Sequence, residues 1–324
     1  MSDDLITVCI PTYRRPSQLL HAVHSCSIQD YRPIEIVIGD DSPTNDTEDL
    51  VATFVAPEGV SVRYVHNEPG LGQAANVNEL FRRAGGKQLV LLHDDDVLVP
   101  GALRAMHAVF ESRSDVVGVY GLQQVIADNG EIDAKKSEQL NVRYKRTKEF
   151  AGLRRDAVRS ALWRQFPNDG YLVDTEAARS VGYRRFDEVG ESCDTDFSIR
   201  LALASRGKAF YLIEQATCRY RLSRGALSGS RDISWRFYRY LLTLTDRLTK
   251  EEVAARDELL REIAAQALVE NAVRGDRRAA LGILLSGYYP IRRKLGFAKL
   301  LYHLGLIGFP QIDRWRRRPR AAMQ

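Results

Sequence analysis

The first hundred residues alternate between short apolar runs and segments with helical spacing. Ile6–Ile10 is an apolar run that stops at Pro11, and Leu19, Ala22, Val23 and Cys26 then recur on one helical face. Glu35–Gly39 is a second run, closed by the polar cluster Asp40-Asp41-Ser42-Pro43-Thr44-Asn45-Asp46, and Val60–His66 is a third. After Gly70-Leu71-Gly72, the residues Val77, Leu80, Phe81 and Ala84 mark another helix. Gln88–Leu92 is a fourth strand, running straight into His93-Asp94-Asp95-Asp96, and Pro100-Gly101 opens a helix carrying Leu103, Met106, His107 and Phe110. Strands separated by helices predict a parallel sheet with right-handed crossovers. Ligands of such sheets bind at the carboxyl ends of the strands. Three polar clusters, at Pro11-Thr12-Tyr13, Asp40-Asp41 and Asp94-Asp95-Asp96, are therefore expected on one edge.

The pattern then becomes mixed. Val116–Gln124 and Ala209–Glu214 read as strands, and Gln139–Phe150 as a polar loop. Asp194–Arg206 reads as a helix with Asp194 or Thr195 as its cap and Gly207 as its stop. From about residue 231 the chain is helical, with Leu260, Ile263, Ala264 and Ala267 on one face.

A chain of 324 residues suits one large domain, or one domain plus a helical appendage. No run of 18 apolar residues crosses a bilayer, and the start lacks the basic and apolar regions of a signal peptide. Cys9, Cys26, Cys193 and Cys218 show no CxxC spacing, so reduced thiols and a cytoplasmic location are expected. The net charge of +5 is unevenly distributed. Residues 274–324 hold twelve Lys/Arg against Asp276 and Asp313, a net +10, so the first 273 residues carry −5. Any account of the basic balance concerns the tail alone.

Three carboxylates at one strand end repel one another unless a cation joins them. Oxygen ligands select a hard ion such as Mg²⁺ or Mn²⁺, completed by phosphate oxygens of a substrate. A solvated acidic turn is the plainer account. Asp40-Asp41-Ser42 fits either an Asx-turn before the next helix or a carboxylate that accepts a hydrogen bond from a base or ribose.

Five segments together resemble the family 2 glycosyltransferases, which have a GT-A fold. They are Val8-Cys9-Ile10-Pro11-Thr12-Tyr13-Arg14-Arg15, Glu35–Ser42, Gly70–Asn76, Leu91–Leu98 and Gly190–Leu201. The likeness spans roughly residues 5–228. It implies an α/β domain with a mostly parallel sheet, whose nucleotide-sugar-binding half is 1–112 and whose acceptor-binding half is 113–230, followed by a basic helical extension over 231–324. It implies that Pro11, Thr12, Tyr13 and Asp41 hold the nucleoside of a UDP-, GDP- or dTDP-sugar, with Asn76 and Asp94 near ribose or sugar. The same resemblance implies that Asp95 binds Mn²⁺ or Mg²⁺ with Asp96 in support, and that Asp194 is the general base toward a glycan or lipid-linked acceptor. A base on the face opposite the leaving group inverts the anomeric carbon. The residue-level alternative for Asp194 is an ordinary helix cap.

This chain departs from the family pattern at three positions. His93 stands where many relatives have the first Asp of Asp-x-Asp, so the metal falls to Asp95 or to Asp94 with Asp96. Cys193 precedes the base where many have Glu. Ser223 stands where many have His after Tyr-Arg, leaving Arg224 to serve the diphosphate by bidentate charge-assisted bonds or to be a solvated loop residue. Trp163, Phe166, Asn168, Asp169 and Tyr171 fall in the acceptor region. His21, His24, His66, His107 and His303 show no ligand spacing.

Two rival classes stay open at this level. A sugar-nucleotide-forming nucleotidyltransferase shares the architecture, but the first strand here is followed by no Gly-rich loop. A non-catalytic sugar-nucleotide-binding scaffold would suit the departures at His93, Cys193 and Ser223. The tail mixes apolar residues from Leu295 to Phe309 with lysines and arginines. That suits a helix on the inner face of an anionic membrane, a helix packed on the acidic body, or a contact between two copies. No nucleic-acid-binding motif accompanies the charge.

Overall fold

The computed structural model describes residues 4–222, 234–289 and 297–311. The chain divides into two compact units, Met1–Arg185 with Cys193–Ala226, and Phe186–Ser192 with Leu227–Gln324.

The first unit is built on one nine-stranded sheet. Its strands are β1 (Ile6–Thr12), β2 (Ile34–Asp40), β3 (Val60–His66), β4 (Gln88–Leu91), β5 (Val97–Leu98), β6 (Val116–Ile126), β7 (Gly152–Arg154), β8 (Tyr171–Asp174) and β9 (Ala209–Arg221). The order is β3-β2-β1-β4-β8-β6-β9-β5, with β7 on β9. The half from β3 to β4 is parallel, as the alternation of strands and helices predicts. Its helices are α1 (Pro16–Ser27), α2 (Asp46–Ala52), α3 (Gln73–Arg83) and α4 (Ala102–Ser112). The other half adds α5 (Ala134–Arg143), α6 (Ala157–Leu162) and α7 (Thr175–Val181); α8 (Phe186–Val189) belongs to the second unit, and α9 (Cys193–Ala204) returns to the first.

The burial pattern explains why the central strands read as apolar runs rather than as alternation. Ile6, Val8 and Ile10 of β1 meet Ile34, Ile36 and Ile38 of β2 in one cluster with Leu19, Val23 and Cys26 of α1 and Met106 of α4. The opposite face of the same strands packs against α3. Both faces are covered, so each side chain is buried, at roughly 1.5–3 kcal/mol per large aliphatic residue. β3 is the edge, and its alternately half-buried and exposed residues show it.

The mixed half departs from the sequence reading. The expected polar loop at 139–150 holds instead the end of α5 and a short 3₁₀ turn, Lys148–Phe150. Asp133 caps α5 by accepting from the Lys136 amide, and Asn141 bonds the backbone of Gln123 in both directions. Only Asn141 of this helix is buried, so it carries no apolar stripe to be read. β9 runs seven residues beyond Glu214, through polar positions, because its partner β6 continues to Ile126 opposite Arg221. β8 was not foreseen. It enters antiparallel between β4 and β6, with Leu91 opposite Tyr171.

The second unit is helical: α10 (Ser234–Thr243), α11 (Lys250–Arg274), α12 (Arg277–Leu284) and α13 (Phe297–Gly308). A capping box starts α11. The Thr249 hydroxyl accepts from the Glu252 amide while the Glu252 carboxylate accepts from the Thr249 amide. Leu260, Ala264 and Ala267 of α11 are buried and Ile263 is half-buried, along the face that the spacing predicts.

Candidate active site

Parallel pairing carries three strand ends to the same edge. Thr12 of β1 lies opposite Asp40 of β2, and Asp40 opposite His66 of β3. The Asp41 amide donates to the Thr12 carbonyl at 3.1 Å, and the Thr12 hydroxyl donates to Asp94 at 2.7 Å. The three polar clusters therefore meet, as strand order requires. Asp41 accepts from the amides of Leu71 and Gly72 and from the Asn67 side chain, which fixes the loop before α3. Asn76, buried on α3, donates to the Gly39 carbonyl at 2.8 Å. This approach requires glycine, because a Cβ at residue 39 would stand 2.1 Å from the Asn76 amide oxygen. Tyr13, just beyond β1, keeps about half its surface exposed with the Arg14 guanidinium over its ring. Pro11 is half-buried beside Gly39.

The acidic triplet does not act as one group. Arg15 bridges Asp94 at 3.1 Å and Asp95 at 2.8 Å, so the chain itself supplies a cation to these two. Burial raises the Asp94 carboxyl above its ordinary value, against the pull of Thr12 and Arg15.

Asp96 turns the other way. One of its oxygens accepts from the Arg221 amide at 2.6 Å. The other is buried with no hydrogen-bond partner. Burial, and then the charge of Asp169, hold Asp96 well above the usual carboxylate range. Among the described residues, His93, Asp96 and Asp169 bring ligand atoms within 4.8 Å of one another. Asp169 is fully buried, accepting from the His93 amide and from Gln123. Burial disfavours the charged imidazole of His93, yet the charges of Asp169, Asp194, Asp95 and Asp94 together raise the group. An imidazole and two carboxylates, one with an orphaned buried oxygen, fit a divalent cation of the first transition row.

Asp169 arrives through a tight turn. The Gly170 amide donates to the Leu91 carbonyl as β8 begins, and Gly170 has φ +68°, where a Cβ would stand 2.3 Å from that of Cys218. Gly170→Ala is expected to cost about 2–4 kcal/mol, from left-handed strain and overpacking together. Denaturant unfolding at fixed m-value measures it; an unchanged midpoint would refute the account.

Asp194, on the first turn of α9, is half-buried. The Tyr183 hydroxyl donates to it at 3.1 Å and lies 3.2 Å from the Tyr171 hydroxyl. Burial pushes the Asp194 carboxyl up to about 6, opposed by His93 and by the Tyr183 bond. Burial also keeps the Tyr183 phenol protonated, so that it serves as donor. A carboxyl poised near neutrality, with one oxygen held, can take a proton at the other.

The family model described as Glycosyl transferase family 2 matches residues 7–161. The chain carries a family 2 glycosyltransferase domain. A Mycobacterium tuberculosis protein, uncharacterized, is 36% identical over 110 residues, 34% of either chain. The GalNAc(5)-diNAcBac-PP-undecaprenol beta-1,3-glucosyltransferase of Campylobacter jejuni is 29% identical over 101 residues, 31% of this chain and 33% of its own. These two curated relatives are thus matched over about a third of their length. The family 2 domain has the GT-A fold. S. aureus TarS 1-349, solved with UDP-GlcNAc, superposes with a TM-score of 0.62 at 15% identity, covering 86% of this chain and 79% of that one. The mannosyltransferase PcManGT of Pyrobaculum calidifontis, solved with GDP-Man and Mn²⁺, gives 0.55 at 14% identity, over 97% and 88%.

Within the matched residues, Pro11, Thr12, Tyr13, Asp41, Asn76, Asp94, Asp95 and Asp96 gather at the strand ends, and Asp194, beyond the match, feels His93 electrostatically. Arg224 lies outside the described residues. Sequence reading passed over Tyr183 altogether. It set Asp169 among acceptor residues, although Asn168-Asp169-Gly170 before the apolar Tyr171-Leu172-Val173 is a turn-to-strand signal that could have placed it.

Proposed function

We propose that this chain is an inverting glycosyltransferase that moves a sugar from a nucleoside-diphosphate sugar to an acceptor hydroxyl. The observation that carries this reading is Asp194, a half-buried carboxyl set near pH 6 and oriented by Tyr183, in electrostatic reach of His93 at the strand ends. Tyr183 holds one carboxylate oxygen, and the other takes the acceptor proton as the hydroxyl attacks the anomeric carbon from the face opposite the diphosphate. Tyr13 offers an exposed ring for the base, and Pro11, Thr12, Asp41 and Asn76 shape the nucleoside pocket. Asp94, fixed by Thr12 and Arg15, faces ribose or sugar. Arg15 stands ready beside the diphosphate as a fixed positive charge.

Asp96, with His93 and Asp169, would hold a divalent cation, and Asp95 adjoins them. Bound there, the ion would supply positive charge against the departing diphosphate. The imidazole favours Mn²⁺ over Mg²⁺, whose sites are oxygen-only. In this reading residues 1–112 hold the donor and 113–230 face the acceptor. The C. jejuni relative, named for a lipid-linked glycan, supports polysaccharide or glycoconjugate assembly as the setting.

The test is a thermal-shift screen of UDP-, GDP- and dTDP-sugars with Mn²⁺. One nucleotide class should stabilise the protein, by about 2.7 kcal/mol at a hundredfold excess over Kd. Tyr13→Ala should weaken that ligand roughly tenfold through lost stacking. A chain that no nucleotide sugar stabilises would defeat the proposal.

A further inference from the structure

The helical unit carries an apolar surface that the transferase reading does not use. The Arg277 guanidinium, at the start of α12, donates to the Gly308 carbonyl at the end of α13. The Tyr289 hydroxyl, just past α12, bonds His303 at 2.6 Å. These two ties run α13 antiparallel to α12. By helical spacing Leu281 and Leu285 share a face at the end of α12, and Leu301 and Leu304 share one on α13. All four are exposed, Leu285 at 82%, as is Phe309 just past α13 at 68%. Exposed large apolar residues scattered singly are ordinary on a soluble surface; five along one helix pair are not.

The exposed charges on these two helices are basic, with Asp276 as the cap that precedes them. Arg277, Arg278 and Lys299 are exposed on the same two helices. In sequence, residues 274–324 carry +10, including five arginines flanking and following Trp315. No helix among the described residues is long and apolar enough to cross a membrane. An apolar row on a helix pair of this length, with basic neighbours, matches the interface of a bilayer whose headgroups are anionic. A second copy of the same surface would bring +10 against +10, a repulsion that an apolar contact must overcome.

We propose that the α12–α13 pair, through Leu281, Leu285, Leu301, Leu304 and Phe309, docks on an anionic lipid surface, with Arg277, Arg278 and Lys299 meeting the headgroups. The inference stands apart from the chemistry assigned to Asp194.

Co-sedimentation of the full chain with vesicles tests it. Vesicles of phosphatidylcholine with 30% phosphatidylglycerol, on the order of a plasma-membrane anionic fraction, should pellet the protein at low salt at least about fivefold better than phosphatidylcholine alone. Leu285→Asp with Phe309→Asp should lower that partition at least about tenfold. A second readout does not depend on how the double variant folds. The four native cysteines are buried, so Leu285→Cys can be labelled alone with an environment-sensitive fluorophore. Its emission should shift to the blue with anionic vesicles and stay unmoved with neutral ones. Protein that remains in the supernatant, a folded double variant that pellets like the wild type, or a label that does not respond would each overturn the proposal. So would a dimer in sedimentation velocity that the double substitution dissociates while vesicles are ignored, since the face would then belong to a second copy.

Discussion

Replacing Asp194 by Asn should lower kcat about a thousandfold while donor affinity stays within about twofold of the wild type. General-base catalysis contributes about 10²–10⁴ in rate. The Asn amide keeps the shape of the side chain and still accepts from Tyr183, so the loss falls on the proton transfer. The pH profile is the sharper check. Burial sets the Asp194 carboxyl near 6. The base works only when ionised, so kcat/KM should fall as pH drops through about 6 and be level above about 7. Stability runs the other way. A folded carboxyl with a raised value holds a proton that the unfolded chain gives up near 4, so Asp194 favours the folded state at acid pH, and this contribution is lost as pH rises toward 6. Asp94 and Asp96 are raised too and add to the same slope of stability, so the part of it that Asp194→Asn removes is the part that belongs to this group. Turnover by Asp194→Asn at the wild-type rate would remove Asp194 as the base.

Asp96→Asn should make the protein more stable without metal and deaf to Mn²⁺. Asp96 is almost wholly buried, and its second oxygen has no hydrogen-bond partner beside the buried Asp169. Two buried carboxylates in one site share a proton or a cation, or they repel. Burial and the Asp169 charge raise Asp96, so in chelator the wild type should lose stability as pH rises above about 4, the unfolded carboxyl value. An Asn keeps the bond from the Arg221 amide and turns an NH₂ toward Asp169, which removes the repulsion and satisfies the orphan. The expected gain at pH 8 is about 1–3 kcal/mol. Mn²⁺ should raise the midpoint of the wild type more at pH 8 than at pH 5, and leave Asp96→Asn unmoved. Scanning fluorimetry at both pH values, with chelator and with Mn²⁺, reads all four states. A variant less stable at both, or one that keeps its Mn²⁺ shift, would contradict the assignment.

The half of the fold that repeats a simple rule was legible from sequence. Runs such as Ile34–Ile38, buried on both faces, announce a parallel strand, and their ends locate the site without any knowledge of contacts. The rest depends on pairings that leave little mark. β8 is four residues long, and α5 buries only Asn141, so neither shows a periodicity. The site divides the same way. The triplet Asp94-Asp95-Asp96 is visible as a cluster, but its division between Arg15 on one side and Asp169 on the other is not. That split follows from the direction each side chain takes after a strand ends, which partners 73 to 80 residues away decide. Tyr183 has no motif at all; its role comes from where α7 ends and α9 begins.

The insertion of β8 between β4 and β6 has a consequence for how this chain can be altered. A strand from the later half closes the ladder of the earlier half, and it brings Asp169 with it. The segment 1–112 is therefore not a cassette. Cut free at residue 112, it would present β4 as a bare apolar edge, with unpaired amides and carbonyls open to any strand of another chain. If the proposed function holds, donor and acceptor preferences should not be exchangeable between relatives by a single crossover near the middle of the sequence unless β8 travels with β4.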